Sequence, residues 1–373
     1  MTTSLGLLTL TAAAVLLAGC GSDTFAPAGG GSDTPSTPAA TPTPSAPAPG
    51  ALDLANLPQG PRPGLVFAFD TGPRSGDGEF RLDHGHDGGY QPLRTGPVGD
   101  FASFDNGRSV VTYATEDGVV VEVLAPDGTV LESSTGLPGY GLVTTPDHSI
   151  VGWLDDDGVP QVMEDGATRH LALPAVANGD HLAALRGSGT CKEQYPEGGG
   201  CTAYVASAPG ADQPFAWYTS SHGIVDTVRH LTDVRDVALD GALVGLLEGR
   251  AGCSGLVTPR GKVGWRTCTH ELTDLAADGR HVVGLATASS DAATRDLAIY
   301  DRAGDTVASW SLPHGSAGQV GDVAWEDAEH VLVVVGDGER WTIVRLGVDG
   351  SAERTLAPVE RGADFSPYRL PVG

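Results

Sequence analysis

From residue 100 onward the chain repeats one short arrangement of apolar and polar positions. A small or apolar pair leads into an Asp or Asn with Gly nearby, and an apolar run comes next. It first reads Ala102-Ser103-Phe104-Asp105-Asn106-Gly107 ahead of Val110-Val111. It returns at Thr145-Pro146-Asp147-His148, Ala177-Asn178-Gly179-Asp180, Leu239-Asp240-Gly241, Ala277-Asp278-Gly279 and Glu326-Asp327-Ala328. The copies are spaced about 44 residues apart, the period of a four-stranded repeat unit. A second turn comes after most copies, as at Pro126-Asp127-Gly128, Glu164-Asp165-Gly166, Arg260-Gly261, Ala303-Gly304 and Asp349-Gly350. Asp-Gly and related pairs accept the positive φ that tight hairpins need. The segments between turns, such as Val119–Leu124 and Trp341–Leu346, are β-branched and strand-length. No segment reads as a long amphipathic helix. The predicted unit is therefore strand, Asp/Gly turn, apolar strand, turn, strand, Asp-Gly turn, strand.

At these turns the chain resembles the WD-repeat-like and TolB-like β-propellers of bacteria, whose blades carry a Phe-Ser-Pro-Asp-Gly-type turn. Thr145-Pro146-Asp147-His148 comes nearest to that motif, so the blades are divergent copies. The resemblance covers residues 61–373 and implies an all-β propeller. Six repeats and a first unit at 64–96 predict seven blades, with six or eight as the neighbouring counts. The first unit lacks a leading strand, and Ala363-Asp364-Phe365-Ser366-Pro367-Tyr368-Arg369-Leu370 looks like its missing copy. The C-terminal strand is thus expected to pair into the first blade and close the ring. An open pair of β-sandwiches is the structural alternative.

The N-terminus has a different pattern. An apolar run from Leu5 to Leu17 ends in Leu17-Ala18-Gly19-Cys20, which is too short to span a bilayer and has the small-residue end of a secretory signal. The four residues resemble the lipobox of bacterial lipoproteins. That resemblance implies cleavage before Cys20 and lipidation of its thiol, and more than one acyl chain anchors stably. One departure is that Met1-Thr2-Thr3-Ser4 has no Lys or Arg; the α-amino group supplies the positive charge, or the true start lies upstream. Residues 20–60 are rich in Gly, Ser, Thr, Pro and Ala, with too little apolar area to offset ordering entropy, so they are expected to be a disordered spacer. The expected plan is signal peptide 1–19, lipidated linker 20–60 and propeller 61–373.

Charge narrows the function classes. The net charge of −25 argues against nucleic acid and against adsorption onto anionic lipid. Beyond Cys20 there are Cys191, Cys201, Cys253 and Cys268, an even number that in an exported protein favours disulfides over metal. Of the three connectivities, Cys191–Cys201 and Cys253–Cys268 are expected, because each pair flanks one local loop. Four thiolates on zinc is the weaker alternative, since no CxxC spacing occurs.

Candidate chemistry is sparse. In Asp83-His84-Gly85-His86-Asp87, a strand would place His84 and His86 on one face as a candidate metal pair. No third ligand can be placed, however, and the surrounding glycines read as a solvated turn. His181, His281 and His330 occupy one repeat position before an apolar strand, so they read as fold determinants, as does the repeated Asp. Asp155-Asp156-Asp157-Gly158 lacks the alternating oxygens of a calcium loop. There is no Gly-x-Ser-x-Gly and no phosphate loop, and no cofactor is expected. The tryptophans are expected to pack between blades. Three connections between second and third strands are long, at about 70–79, 187–201 and 287–296, and insertions on one face commonly build a binding surface. The middle one offers Lys192, Glu193, Tyr195 and Glu197 as candidate contacts. The expectation is a non-enzymatic module, lipid-anchored on the extracytoplasmic face of the cell membrane, that binds a protein, peptide or envelope glycan. The alternative is an extracytoplasmic hydrolase or lyase with carboxylates around the propeller channel.

Overall fold

The second unit shows how the repeated pattern becomes strands and turns. Val98–Ser103, Ser109–Thr115, Gly118–Leu124 and Val130–Gly136 pair antiparallel in chain order. After the first strand, Gly107 N donates to Phe104 O at 2.9 Å with Gly107 at φ 79°, a conformation glycine adopts without a Cβ penalty. After the third, Gly128 N donates to Ala125 O at 2.9 Å while Thr129 N donates to Asp127 Oδ1 at 3.0 Å. The recurring Asp and Asn are turn caps, accepting bonds from backbone N–H groups two residues on.

The chain is described by a computed structural model that covers residues 50–72, 80–84, 89–93, 98–115, 118–136, 141–164, 170–172, 180–187, 191, 200–207, 215–220, 225–250, 252–287, 294–313, 317–361 and 366–373. All elements among them are strands. Blade 2 is the sheet above. Blade 3 is Val143–Thr144, Ile150–Leu154, Pro160–Glu164 and His170–Ala172; blade 4 is His181–Arg186, Thr202–Ala206, Ala216–Ser220 and Val225–Thr227. Blade 5 is Leu231–Val237, Leu243–Leu247, Ser254–Val257 and Val263–Thr267; blade 6 is His270–Leu275, His281–Ala286, Asp296–Asp301 and Thr306–Ser311. Blade 7 is Gln319–Trp325, His330–Gly336, Arg340–Gly347 and Ala352–Arg354.

Blade 1 takes its inner strand from the other end of the chain. Tyr368–Arg369 pairs antiparallel with Phe67–Asp70, and Phe80–Asp83 and Tyr90–Pro92 complete the sheet. Tyr368 also stacks on Phe69 with ring centroids 5.2 Å apart. The seven sheets make a closed seven-bladed β-propeller, joined where the sequence predicts. The open-sandwich alternative is excluded. Its core lies between successive blades: Trp310, Leu297 and Ile299 of blade 6 meet Val331, Val333 and Val344 of blade 7. Trp153, Trp217, Trp310, Trp325 and Trp341 are all buried, and each such side chain contributes roughly 1.5–3 kcal/mol through burial.

Two sequence-based expectations change. First, residues 50–60, in the stretch expected to be linker, pack onto the propeller. Gly50–Ala51 pairs parallel with Trp310 and Ser311 on the outer edge of blade 6. Leu52 and Leu54 then bury fully against Trp310 and Leu312, and Gly60 N donates to Arg354 O at 2.8 Å on blade 7. The composition is linker-like, yet two leucines and one strand edge suffice to hold it. Second, the repeat frame slips in blade 4. His181–Arg186 is the inner strand there, whereas His281 and His330 begin second strands, so the three histidines are not equivalent. The connection 187–201 consequently joins the first and second strands of its blade. In an antiparallel blade the strand ends it joins, Arg186 and Thr202, lie on the face opposite the strand ends Asp70 and Phe80 of blade 1 and Ala286 and Asp296 of blade 6, which join second and third strands.

Candidate functional site

The inner strands carry β-bulges just before their turns, with register shifts at Val234/Asp236 in blade 5 and Leu272/Asp274 in blade 6. A bulge re-aims the side chain beside it. In both blades that side chain is an Asp, two residues before the turn opened by Ala238 or Ala276. Asp236 Oδ1 accepts from Val237 N and Oδ2 from Leu275 N, both at 2.6 Å. The two carboxyls hydrogen-bond to each other, and Asp274 Oδ2 has no further partner among the described residues. Burial pushes Asp236 up to about 6. Burial, then the neighbouring Asp236 charge, pushes Asp274 well above the ordinary carboxylate value. Two buried like charges in contact disfavour double ionisation, so the pair keeps a proton where exposed carboxylates have lost theirs.

The pair lies at the floor of a cavity of about 220 Å³ where the channel opens on the face of the first-to-second-strand turns. Leu65, Pro146, His148, Asp278, Trp325 and Asp327 complete much of its wall. His148 stands where blades 2, 5 and 6 place the turn glycines Gly107, Gly241 and Gly279, and it takes their conformation at φ 54°. A side chain there is strained by roughly 1–2 kcal/mol. His148 Nδ1 lies 3.4 Å from Thr144 Oγ1, and burial lowers its pKa, with Asp147 and Asp105 opposing. Trp325 packs on His281 with centroids 6.1 Å apart and donates from Nε1 to Asp274 O at 3.2 Å. The last residues cross the same mouth: Val372 N donates to Phe101 O at 3.0 Å, and Thr144 Oγ1 donates to Val372 O at 3.3 Å.

Deeper in the channel, charges from several blades meet. Arg235 Nη2 bridges Asp233 at 3.2 Å and Glu271 at 2.7 Å, and His181 Nε2 lies 3.5 Å from Asp233. Arg369 Nη1 pairs with Asp322 Oδ1 at 3.3 Å, while Leu370 N donates to Asp322 Oδ2 at 3.2 Å. Burial, then Asp322, raises the Asp100 pKa; burial likewise raises Asp322 against the opposing pull of Arg369.

Blade 4 meets this face at both ends of its long connection. Arg186 Nε donates to Leu239 O in the blade 5 turn at 3.4 Å. Cys191 and Cys201 are disulfide-bonded and buried, and Cys191 N donates to Glu164 Oε1 at 2.8 Å. Cys253 and Cys268 form the second disulfide, so both pairs match the expected connectivity. Lys192, Glu193, Tyr195 and Glu197 lie outside the described residues, as do Cys20 and His86. His84 N donates to Gly89 O at 3.2 Å, closing a local turn, and Asp83 pairs with Arg62. Sequence reasoning missed Asp236, Asp274 and His148. Charged residues inside otherwise apolar inner strands, as in Val234-Arg235-Asp236-Val237, were the available signal.

No family model matches the chain, and no curated protein matches it. Solved structures do. A structure from a study of two prolyl endopeptidases, on inter-domain dynamics in catalysis and specificity, superposes with a TM-score of 0.55 at 14% identity over 81% of this chain and 51% of that one. The likeness is one of fold. The β-propeller domain of Cps50 (Swd1) from Myceliophteria thermophila gives 0.45 at 12% identity, over 72% of this chain and 89% of that one. TolB from Acinetobacter baumannii gives 0.44 at 13% identity, over 80% and 64%. The chain spans about half the length of the endopeptidase structure it matches.

Proposed function

We propose that this chain is a lipid-anchored, extracytoplasmic propeller that binds a protein, peptide or envelope glycan at the turn face of its ring. Cys20 is the anchor, residues 21–49 the spacer, and the channel mouth with the blade 4 insertion the recognition surface. One observation carries the choice of face: His148 replaces the turn glycine at the cavity mouth and holds a strained φ of 54° there. Strain retained beside a cavity points to a side chain kept for what it contacts. The disulfide at the base of the 187–201 connection lies at the same face and lowers the cost of ordering that connection on binding. The test replaces Lys192, Glu193, Tyr195 and Glu197 with serine, leaving both cysteines in place. Capture of the envelope partner should fall at least tenfold with the thermal melt unchanged; undiminished capture overturns the face assignment.

A second reading, an extracytoplasmic hydrolase or lyase, is favoured by the carboxylates of four blades that gather with Arg235 and Arg369 in the channel. It requires turnover of an envelope polymer that Asp274→Asn abolishes.

A further inference from the structure

Blade 5 reverses the charge of the molecule. The whole chain has 47 Asp and Glu against 22 Lys and Arg. Between residues 229 and 266, however, Arg229, Arg235, Arg250, Arg260, Lys262 and Arg266 outnumber Asp233, Asp236, Asp240 and Glu248. Three of the basic groups of this stretch, His230, Arg250 and Arg266, line a cavity of about 490 Å³ completed by Leu247, Glu248, Gly249 and Val263. Leu247 ends a second strand, Arg266 lies at the end of a fourth, and His230 precedes a first strand. The basic wall therefore sits at the end of the blade opposite the channel mouth, and Val263, at the start of the fourth strand, extends the cavity along the blade's outer edge.

Three features mark it as a built site. Several arginines elsewhere face carboxylates: Arg62 pairs with Asp83, Arg302 with Asp240, Arg340 with Asp337, and Arg345 with Glu326 and Glu353. Arg250 and Arg266 have no carboxylate partner among the described residues, and Glu248 is the single acid on the wall. Next, the Cys253–Cys268 disulfide ties the loop that carries Arg250 to the strand end that carries Arg266. Cys253 N donates to Arg250 O at 3.1 Å within that loop, so the two guanidinium groups arise from one cross-linked frame. Finally, His230 is at φ 70°, and it and His148 are the non-glycine residues with positive φ among those described. Its carbonyl accepts from Glu248 N at 2.9 Å, which locks the unusual backbone onto the cavity wall.

We infer that the disulfide-framed cavity of blade 5, walled by His230, Arg250 and Arg266, binds a phosphate group. Each guanidinium presents a planar fork of donors, and two forks plus an imidazole exceed what one carboxylate's two oxygens can accept. A phosphate offers three or more acceptor oxygens and suits bidentate arginine recognition. The phosphate belongs either to a soluble phosphate species or to a lipid headgroup, and the experiment has an arm for each.

The purified full chain is titrated by calorimetry with inorganic phosphate, and separately sedimented with phosphatidylglycerol or phosphatidylcholine vesicles, all at fixed ionic strength. Binding to inorganic phosphate or to phosphatidylglycerol vesicles is expected, and whichever probe binds identifies the source. The double substitution Arg250→Ala, Arg266→Ala should weaken it at least tenfold. Arg260→Ala with Lys262→Ala, on the opposite face of the same blade, should leave it within twofold. Cys253→Ser with Cys268→Ser should weaken it several-fold with both arginines present, provided the circular dichroism spectrum is unchanged. The inference is overturned if neither probe binds, if the double arginine variant binds like the parent, or if the Arg260 and Lys262 pair matters as much, which would indicate net charge alone.

Discussion

At the scale of single residues, the informative positions break the repeat. Gly107, Gly241 and Gly279 show that the inner turn calls for positive φ, and His148 meets that demand at a cost. His148→Gly should therefore raise stability by about 1 kcal/mol in denaturant unfolding while weakening partner capture; lower stability would show that the imidazole holds the turn. The Asp236 and Asp274 pair gives a pH signature. Their folded pKa values are raised, to about 6 for Asp236, so the stability linked to the shared proton is full below the unfolded value and lost as pH rises through about 6. Asp274→Asn removes the second charge and lets the amide donate to Asp236. The variant should be more stable than the parent at pH 8, and the gap should close toward pH 4. A gap that is constant with pH would contradict the shared-proton account. The sequence makes His148 visible as a departure from the Asp-Gly rule, as it does Asp327-Ala328 in blade 7. It conceals the Asp pair, because only the bulges turn Asp236 and Asp274 toward each other.

At the scale of elements, turns were legible and edges were not. Each Asp-Gly turn is a local event fixed by two or three residues, so outside blade 4 the described hairpins fall where the pattern places them. The segment at Gly50–Ala51 depends on an unpaired strand edge formed by Thr306–Ser311, some 260 residues away in sequence, and no local pattern encodes it. It is nonetheless part of the core: Leu52→Ala or Leu54→Ala, each removing a fully buried side chain, should cost about 2–5 kcal/mol, measured by chemical denaturation. A cost below 1 kcal/mol would show that the segment adheres weakly. The frame slip in blade 4 has a similar origin. Gly179-Asp180 resembles the inner turns, but the pairing of His181–Arg186 with Thr202–Ala206 makes the strand after it the inner one. That moves the 187–201 connection to the channel-mouth face.

At the scale of the whole molecule, ring closure comes from the first unit's missing strand and the C-terminal copy, both legible in the sequence. Closure leaves no gap between blades, and the two faces differ in character. The turn face carries the buried carboxyl pair and His148; the opposite end of blade 5 carries the basic cavity on a chain of net charge −25. Truncation before Tyr368 should remove the inner strand of blade 1 and cause cooperative loss of the fold in circular dichroism, rather than a local opening. The central claim is that an anchored ring recognises its partner at the turn face. It is tested most directly by photo-crosslinking in intact cells, with the probe placed at Asp278 beside the channel mouth in the full chain. A discrete adduct that disappears when Lys192, Glu193, Tyr195 and Glu197 are replaced with serine is the predicted result; no adduct, or one unaffected by the replacement, would contradict it.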